Sequence, residues 1–140
     1  MLLELDKEIN LSPKVDTCYV ISSHHRKYVN DKKSRWVVSM QEEIDCFVNA
    51  CTAKWFDYPT VWGIIKQDSH LIKLGESKLN SNLKLAKFVE NQNNWHGYPA
   101  DYVRNNQDRP GTVVLAKWRK DGIIEKHHII KIRKGVECNL

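Results

Sequence analysis

The spacing of apolar residues changes several times along this chain, and each change predicts a different element. The run "VDTCYVIS" (15–22) is β-branched and aromatic, which predicts a buried strand. Charged "HHRKYVNDKK" breaks that pattern, and "SRWVVSM" (34–40) predicts a second short strand. In "QEEIDCFVNACTAKWF" the residues Ile44, Phe47, Val48 and Cys51 recur at three- and four-residue steps, one apolar face of a helix. Glu42 and Glu43 sit at its positive N-terminal end. Pro59 stops it, and Tyr58 before the proline is pushed towards an extended backbone. "VWGIIKQ" and "HLIKLG" flank Asp68-Ser69, two apolar runs around a turn, and predict a β-hairpin. In "SKLNSNLKLAKFVENQ" (77–92) Leu79, Leu83, Ala86 and Val89 form a stripe that predicts a helix.

After position 92 the punctuation thickens. Gly97, Pro99, Pro110 and Gly111 predict a long loop over 92–111, and loops of that length in a compact domain tend to be functional or disordered. Its aromatic residues argue against disorder. The last segment, "TVVLAKWRKDGIIEKHHIIKIRKG", reads in two ways. As helices, Val114 and Trp118 lie one turn apart, Gly122 ends the first, and Ile129 and Ile132 mark the second. As strands, Asp121-Gly122 is a hairpin turn and His128, Ile130 and Ile132 alternate. The helical reading is adopted. The order β-β-α-β-β-α, a loop and a helical tail predicts a single small α+β domain over 1–140. It would hold a short antiparallel sheet packed by helices, with a functional-looking loop at 92–111 and a basic tail at 112–140.

Composition narrows the class. Hydrophobic residues make up 41% and charged residues 28% of the 140, close to an average globular protein, so disorder of the whole chain is not expected. No apolar run approaches the roughly 20 residues of a membrane span, and "MLLELDKEIN" lacks the apolar core of a signal peptide. Cys18, Cys46, Cys51 and Cys138 lack the regular spacing of a secreted disulfide scaffold, and reduced thiols in a cytoplasm are expected.

Charge is uneven. Residues 1–60 hold eight Lys/Arg against nine Asp/Glu, while residues 61–140 hold fourteen against eight. This asymmetry points to an acidic partner for the second half, either nucleic acid or an acidic protein surface, and not to a membrane. The competing explanation is that basic residues only solvate helix faces.

Candidate chemistry lies in three places. The 92–111 loop carries Trp95, His96, Tyr98 and Tyr102 among Asp101, Arg104, Asp108 and Arg109. Trp and Tyr offer faces on which bases stack, Arg supplies phosphate contacts, and His96 beside Asp101 could serve as an oriented base. The plainer account is a self-packed loop whose rings cover an edge of the core. "SSHHRKY" (22–28) sets His24 and His25 beside Arg26, Lys27 and Tyr28, the base, acid and cation types that phosphodiester cleavage needs. Any exposed basic loop has the same composition. In the tail, a helix, a glycine turn and a basic second helix have the layout of a helix-turn-helix. That second helix lacks the Gln, Asn, Ser and Thr that read base edges, so Lys126, Lys131, Arg133 and Lys134 are expected to meet phosphates. His127 and His128 are adjacent and point in different directions.

"WHGYPAD", then "DRP", then a tail ending "KIRKGVEC" resembles small uncharacterised bacterial proteins over residues 95–138. The resemblance implies that loop and tail form one unit and implies no activity.

Zinc is poorly supported, because Cys46 and Cys51 are five apart and no second pair completes a tetrahedron. GxGxxG, the P-loop, GxSxG and HExxH are absent, so no cofactor is expected. The expected function is a small binding protein that engages nucleic acid or an acidic protein through its basic half. An immunity or antitoxin-like inhibitor is the protein-partner version. The alternative is a small metal-independent nuclease or toxin-like enzyme using His24, His25 or His96. Clustering separates the two, since catalysis needs two of these imidazoles, or one with Arg or Lys, in one cleft. The placement of His24, His25, His96 and His127 predicts that no two of them converge.

Overall fold

A computed structural model describes residues 2–27 and 33–140. Its strands, in chain order, are β1 (Glu8–Asn10), β2 (Cys18–Val20), β3 (Arg35–Trp36), β4 (Phe56–Asp57), β5 (Thr60–Gly63), β6 (Lys66–Gln67), β7 (His70–Leu71), β8 (Gly75–Glu76), β9 (Leu85–Asn91) and β10 (Asn94–Ala100). Six of them form one sheet in the order β1-β2-β10-β9-β5-β4. The pairs β3-β8 and β6-β7 stand apart from it. The sheet is mixed and not purely antiparallel as expected, because β10 runs parallel to β2 and antiparallel to β9.

The helix α1 (Met40–Thr52) forms as its apolar spacing predicts. Ser39 caps it, its Oγ accepting the Glu42 N–H at 3.1 Å while the Glu42 carboxylate accepts the Ser39 N–H at 2.9 Å. The helix ends at Thr52, seven residues before Pro59. Its inner face lies on the sheet through Phe47, whose ring centroid is 5.0 Å from Tyr19, 5.1 Å from Phe88 and 5.5 Å from Trp95. Gly97 of β10 lets Phe88 lie across the strand, since a Cβ there would fall 2.3 Å from the Phe88 ring. The tail is helical, α2 (Thr112–Lys120) and α3 (Lys126–Lys134), and Gly122 turns the chain between them at φ 75°. Trp118 of α2 meets Trp55 edge-on at 5.8 Å, and Trp118 and Ile132 are fully buried.

Two expectations are corrected. Residues 77–92 are not a helix. Ser77 and Asn80 close a hydrogen-bonded turn, Ser77 N–H to Asn80 O at 2.7 Å, and β9 begins at Leu85. The stripe of Leu79, Leu83, Ala86 and Val89 misleads because β9 is a central strand with residues of both faces buried. Leu85, Ala86 and Phe88 are all inaccessible, so the sequence shows no clean alternation. Residues 92–111 are not one loop either, because β10 occupies 94–100. Gln92 and Asn93, at φ 53° and 68°, form the two-residue turn joining β9 to β10, a hairpin geometry that asparagine favours. The hairpin predicted at Asp68-Ser69 is present as β6-β7.

Candidate functional site

The paired carboxylate and guanidinium of Glu43 and Arg26 fix the chain just after β2. Glu43 lies in the first turn of α1 as predicted, and its side chain is fully buried. Tyr19 Oη donates to its Oε2 at 2.6 Å, and Arg26 donates to Oε1 through Nε at 3.1 Å and Nη2 at 2.7 Å. Arg26 also donates to the carbonyls of Val38 and Ser39. Burial raises the Glu43 carboxyl above its ordinary range, opposed by the Tyr19 hydrogen bond and the Arg26 charge. These contacts tie the 3-10 turn at Ser23–His25 to the start of α1.

His25, at the end of that turn, faces a cleft of about 480 Å³. Lys33 and Ser34 line the cleft from the segment before β3, and Ser77 and Lys78 from the turn after β8. Tyr98 lines it from β10, and Asp101, Arg104, Asn105, Gln107 and Asp108 from the segment that follows. The His25 ring stacks on Tyr98, with centroids 5.1 Å apart and planes 18° from parallel. Its Nδ1 lies 2.9 Å from the Ser34 carbonyl oxygen. A carbonyl only accepts, so Nδ1 carries the proton and Nε2 keeps the lone pair. Burial lowers the His25 pKa below its ordinary value of 6.5. The Ser34 hydrogen bond opposes that shift, while the charges of Lys33, His96 and His24 add to it. At neutral pH His25 is therefore uncharged.

The acidic side of the cleft is mostly spoken for. Asp108 accepts the Tyr98 hydroxyl at 3.0 Å, the Asp101 N–H at 3.0 Å and the Asn105 amide at 3.4 Å. This is structural satisfaction of a buried carboxylate. Burial and Asp108 together raise the Tyr98 phenol well above its usual range, so Tyr98 stays a neutral donor. Asp101 accepts the Ser77 hydroxyl on Oδ2 at 2.9 Å, while its buried Oδ1 has no hydrogen-bond partner among the described residues. The Ser34 hydroxyl donates to the Pro99 carbonyl at 2.6 Å.

Of the residues singled out in sequence, the cleft gathers His25, Tyr98, Asp101, Arg104 and Asp108. Trp95 packs half-buried on Phe47. His96 is partly buried, which lowers its pKa, and its charge acts on His25, but it is not among the residues lining the cleft. His24 is exposed. Tyr102 is buried, with its hydroxyl 3.3 Å from Cys138 Sγ. Arg109 clamps its own segment, donating to the Tyr102 carbonyl at 2.8 Å and to Asn106 Oδ1 at 3.1 Å. Arg133 donates to the Pro110 carbonyl, while Lys126, Lys131 and Lys134 are exposed on α3. Tyr28 of the 22–28 run lies outside the described residues.

Sequence reasoning missed Lys33, Ser34, Ser77 and Lys78. They arrive from separate segments, so no spacing in the chain announces them.

A second cluster, Glu125, His127 and His128, has three ligand atoms within 4.8 Å of one another. His128 already uses both ring nitrogens, Nδ1 accepting the Glu125 N–H at 3.0 Å and Nε2 donating to the Asn139 carbonyl at 2.9 Å. No lone pair is left there for a cation.

Comparison of the chain with protein-family models, with curated proteins and with solved structures finds no match.

Proposed function

We propose that this protein binds nucleic acid, with the phosphate backbone entering the His25 cleft. The observation that carries this reading is the convergence of Lys33, Lys78 and Arg104 on one polar cleft beside Tyr98 and His25. The two carboxylates of the cleft are buried, and Asp108 already accepts three internal hydrogen bonds, which leaves the cations and amides of the cleft to meet an incoming phosphate at its mouth. Exposed Lys126, Lys131 and Lys134 on α3 supply further sequence-independent contacts. A cytoplasmic location belongs to the same reading and is supported by four unpaired cysteine thiols. No helix among the described residues is long and apolar enough to cross a membrane.

The test is fluorescence anisotropy with a labelled single-stranded oligonucleotide over a range of salt. Affinity is expected to fall steeply with salt, because bound cations release counterions. Arg104→Ala weakens binding at every salt concentration. Replacing Lys126, Lys131 and Lys134 together with Ala lowers the slope of log K against log salt by up to about two. A flat salt dependence in the unaltered protein overturns the reading in favour of a protein partner. A pull-down with and without nuclease treatment then captures such a partner directly.

A further inference from the structure

We infer that the cleft cleaves RNA without a metal ion, His25 acting as the base that takes a proton from a ribose 2′-hydroxyl. This rests on the nucleic-acid reading above, since the cleft must first hold a phosphodiester.

Four observations support it. The Ser34 carbonyl fixes the tautomer and leaves the Nε2 lone pair on an imidazole that lines the cleft. The ring is held on two sides. Tyr98 stacks on it and is itself anchored by Asp108, and the next residue in the chain, Arg26, is clamped to Glu43. A base whose orientation is set in advance loses little on reaching the transition state. Burial keeps the ring uncharged at neutral pH, the form a base needs. Lys33, Lys78 and Arg104 line the same cleft, where cations stabilise the extra charge that phosphorus carries during transfer.

The nucleophile is argued from the side chains beside His25. Both serine hydroxyls of the cleft are committed, Ser34 to the Pro99 carbonyl and Ser77 to Asp101. The substrate therefore supplies the attacking oxygen. In RNA a hydroxyl already adjoins the phosphate and needs only a base, and the Nε2 lone pair of His25 can serve as that base. In the step, the 2′-hydroxyl proton passes to Nε2, the 2′-oxygen bonds to phosphorus, and the bond from phosphorus to the 5′-oxygen breaks. The 5′-oxygen takes a proton from water, and His25 returns its own to solvent. The products are a 2′,3′-cyclic phosphate and a 5′-hydroxyl, with no change in oxidation state.

The experiment incubates the full chain, in excess EDTA, with a mixed-sequence single-stranded RNA, the matching DNA and a fully 2′-O-methylated RNA. Products are resolved on a gel and their ends are identified by mass spectrometry. The expected result is cleavage of the RNA alone, leaving cyclic phosphate ends, with a rate that rises with pH and levels off once His25 is neutral. His25→Ala and His25→Gln each slow cleavage by about 100-fold or more while anisotropy still shows RNA binding. His24→Ala cleaves like the unaltered protein. Circular dichroism of each variant establishes that it is folded, and His25→Gln is the variant of record if His25→Ala is not. RNA that is bound but not cleaved overturns the inference and leaves the binding reading intact. Failure to bind any of the three nucleic acids overturns both. Equal cleavage of DNA, or undiminished cleavage by a folded His25 variant, removes the 2′-hydroxyl mechanism or His25 from it.

Discussion

Removing Arg26 tests how the turn that carries His25 is held. Its side chain is 12% exposed and that of Glu43 1%, so the pair is largely shielded from water. Arg26→Ala deletes two hydrogen bonds to Glu43 Oε1 and two to the carbonyls of Val38 and Ser39. Glu43 is then left buried with Tyr19 as its one donor. Removing one partner of a buried pair strands the other charge and costs about 3–5 kcal/mol, a large part of the roughly 5–15 kcal/mol that stabilises a domain. Urea denaturation followed by tryptophan fluorescence measures the loss.

The loss also depends on pH, with a definite sign. Arg26 is among the influences that lower the Glu43 pKa, so deleting it raises that pKa further above the ordinary 4.5. The folded variant then holds a proton that the unfolded chain releases, so its stability declines as pH rises from about 4.5 through the raised folded value. The deficit relative to the unaltered protein is therefore larger at pH 8 than at pH 5. A loss below about 1 kcal/mol, typical of an exposed pair, or a deficit independent of pH, refutes this account of Arg26.

Trp95→Ala, which strips a half-buried ring from Phe47, should cost about 2–3 kcal/mol, less than the 3–5 kcal/mol of a fully buried aromatic, and an unchanged denaturation midpoint would show Trp95 to be a contact residue. Gly97→Ala places a Cβ against the Phe88 ring and should cost about 1–3 kcal/mol through overpacking, checked by thermal unfolding.

Legibility in the sequence followed the locality of each signal. Helix α1 and the two tail helices were readable because their turns and apolar faces are contiguous, as along Ile44, Phe47, Val48 and Cys51 and at Gly122. Strand β9 was not, because burial on both faces erases alternation and its Leu, Ala and Lys residues also suit a helix. Strand β10 was hidden by its own Gly97 and Pro99, which read as loop punctuation. The Gln92-Asn93 pair was the available sign of a hairpin turn. Of the cleft, His25, Tyr98, Asp101, Arg104 and Asp108 stood out by residue type. What joined them, a turn near residue 25, a segment near 34 and another near 77 brought beside β10, is tertiary and left no local trace.

The strand order has a consequence for how another polypeptide could attach. The two seven-residue strands, β9 and β10, lie inside the six-stranded sheet, and its borders are the three-residue β1 and the two-residue β4. A guest chain laid along either border finds too few open N–H and C=O groups for a ladder, and one of those borders carries the charge of Glu8. Augmentation of the sheet, a common means of peptide capture, is poorly served by this architecture. The same brevity guards the molecule against stacking border to border with its own copies.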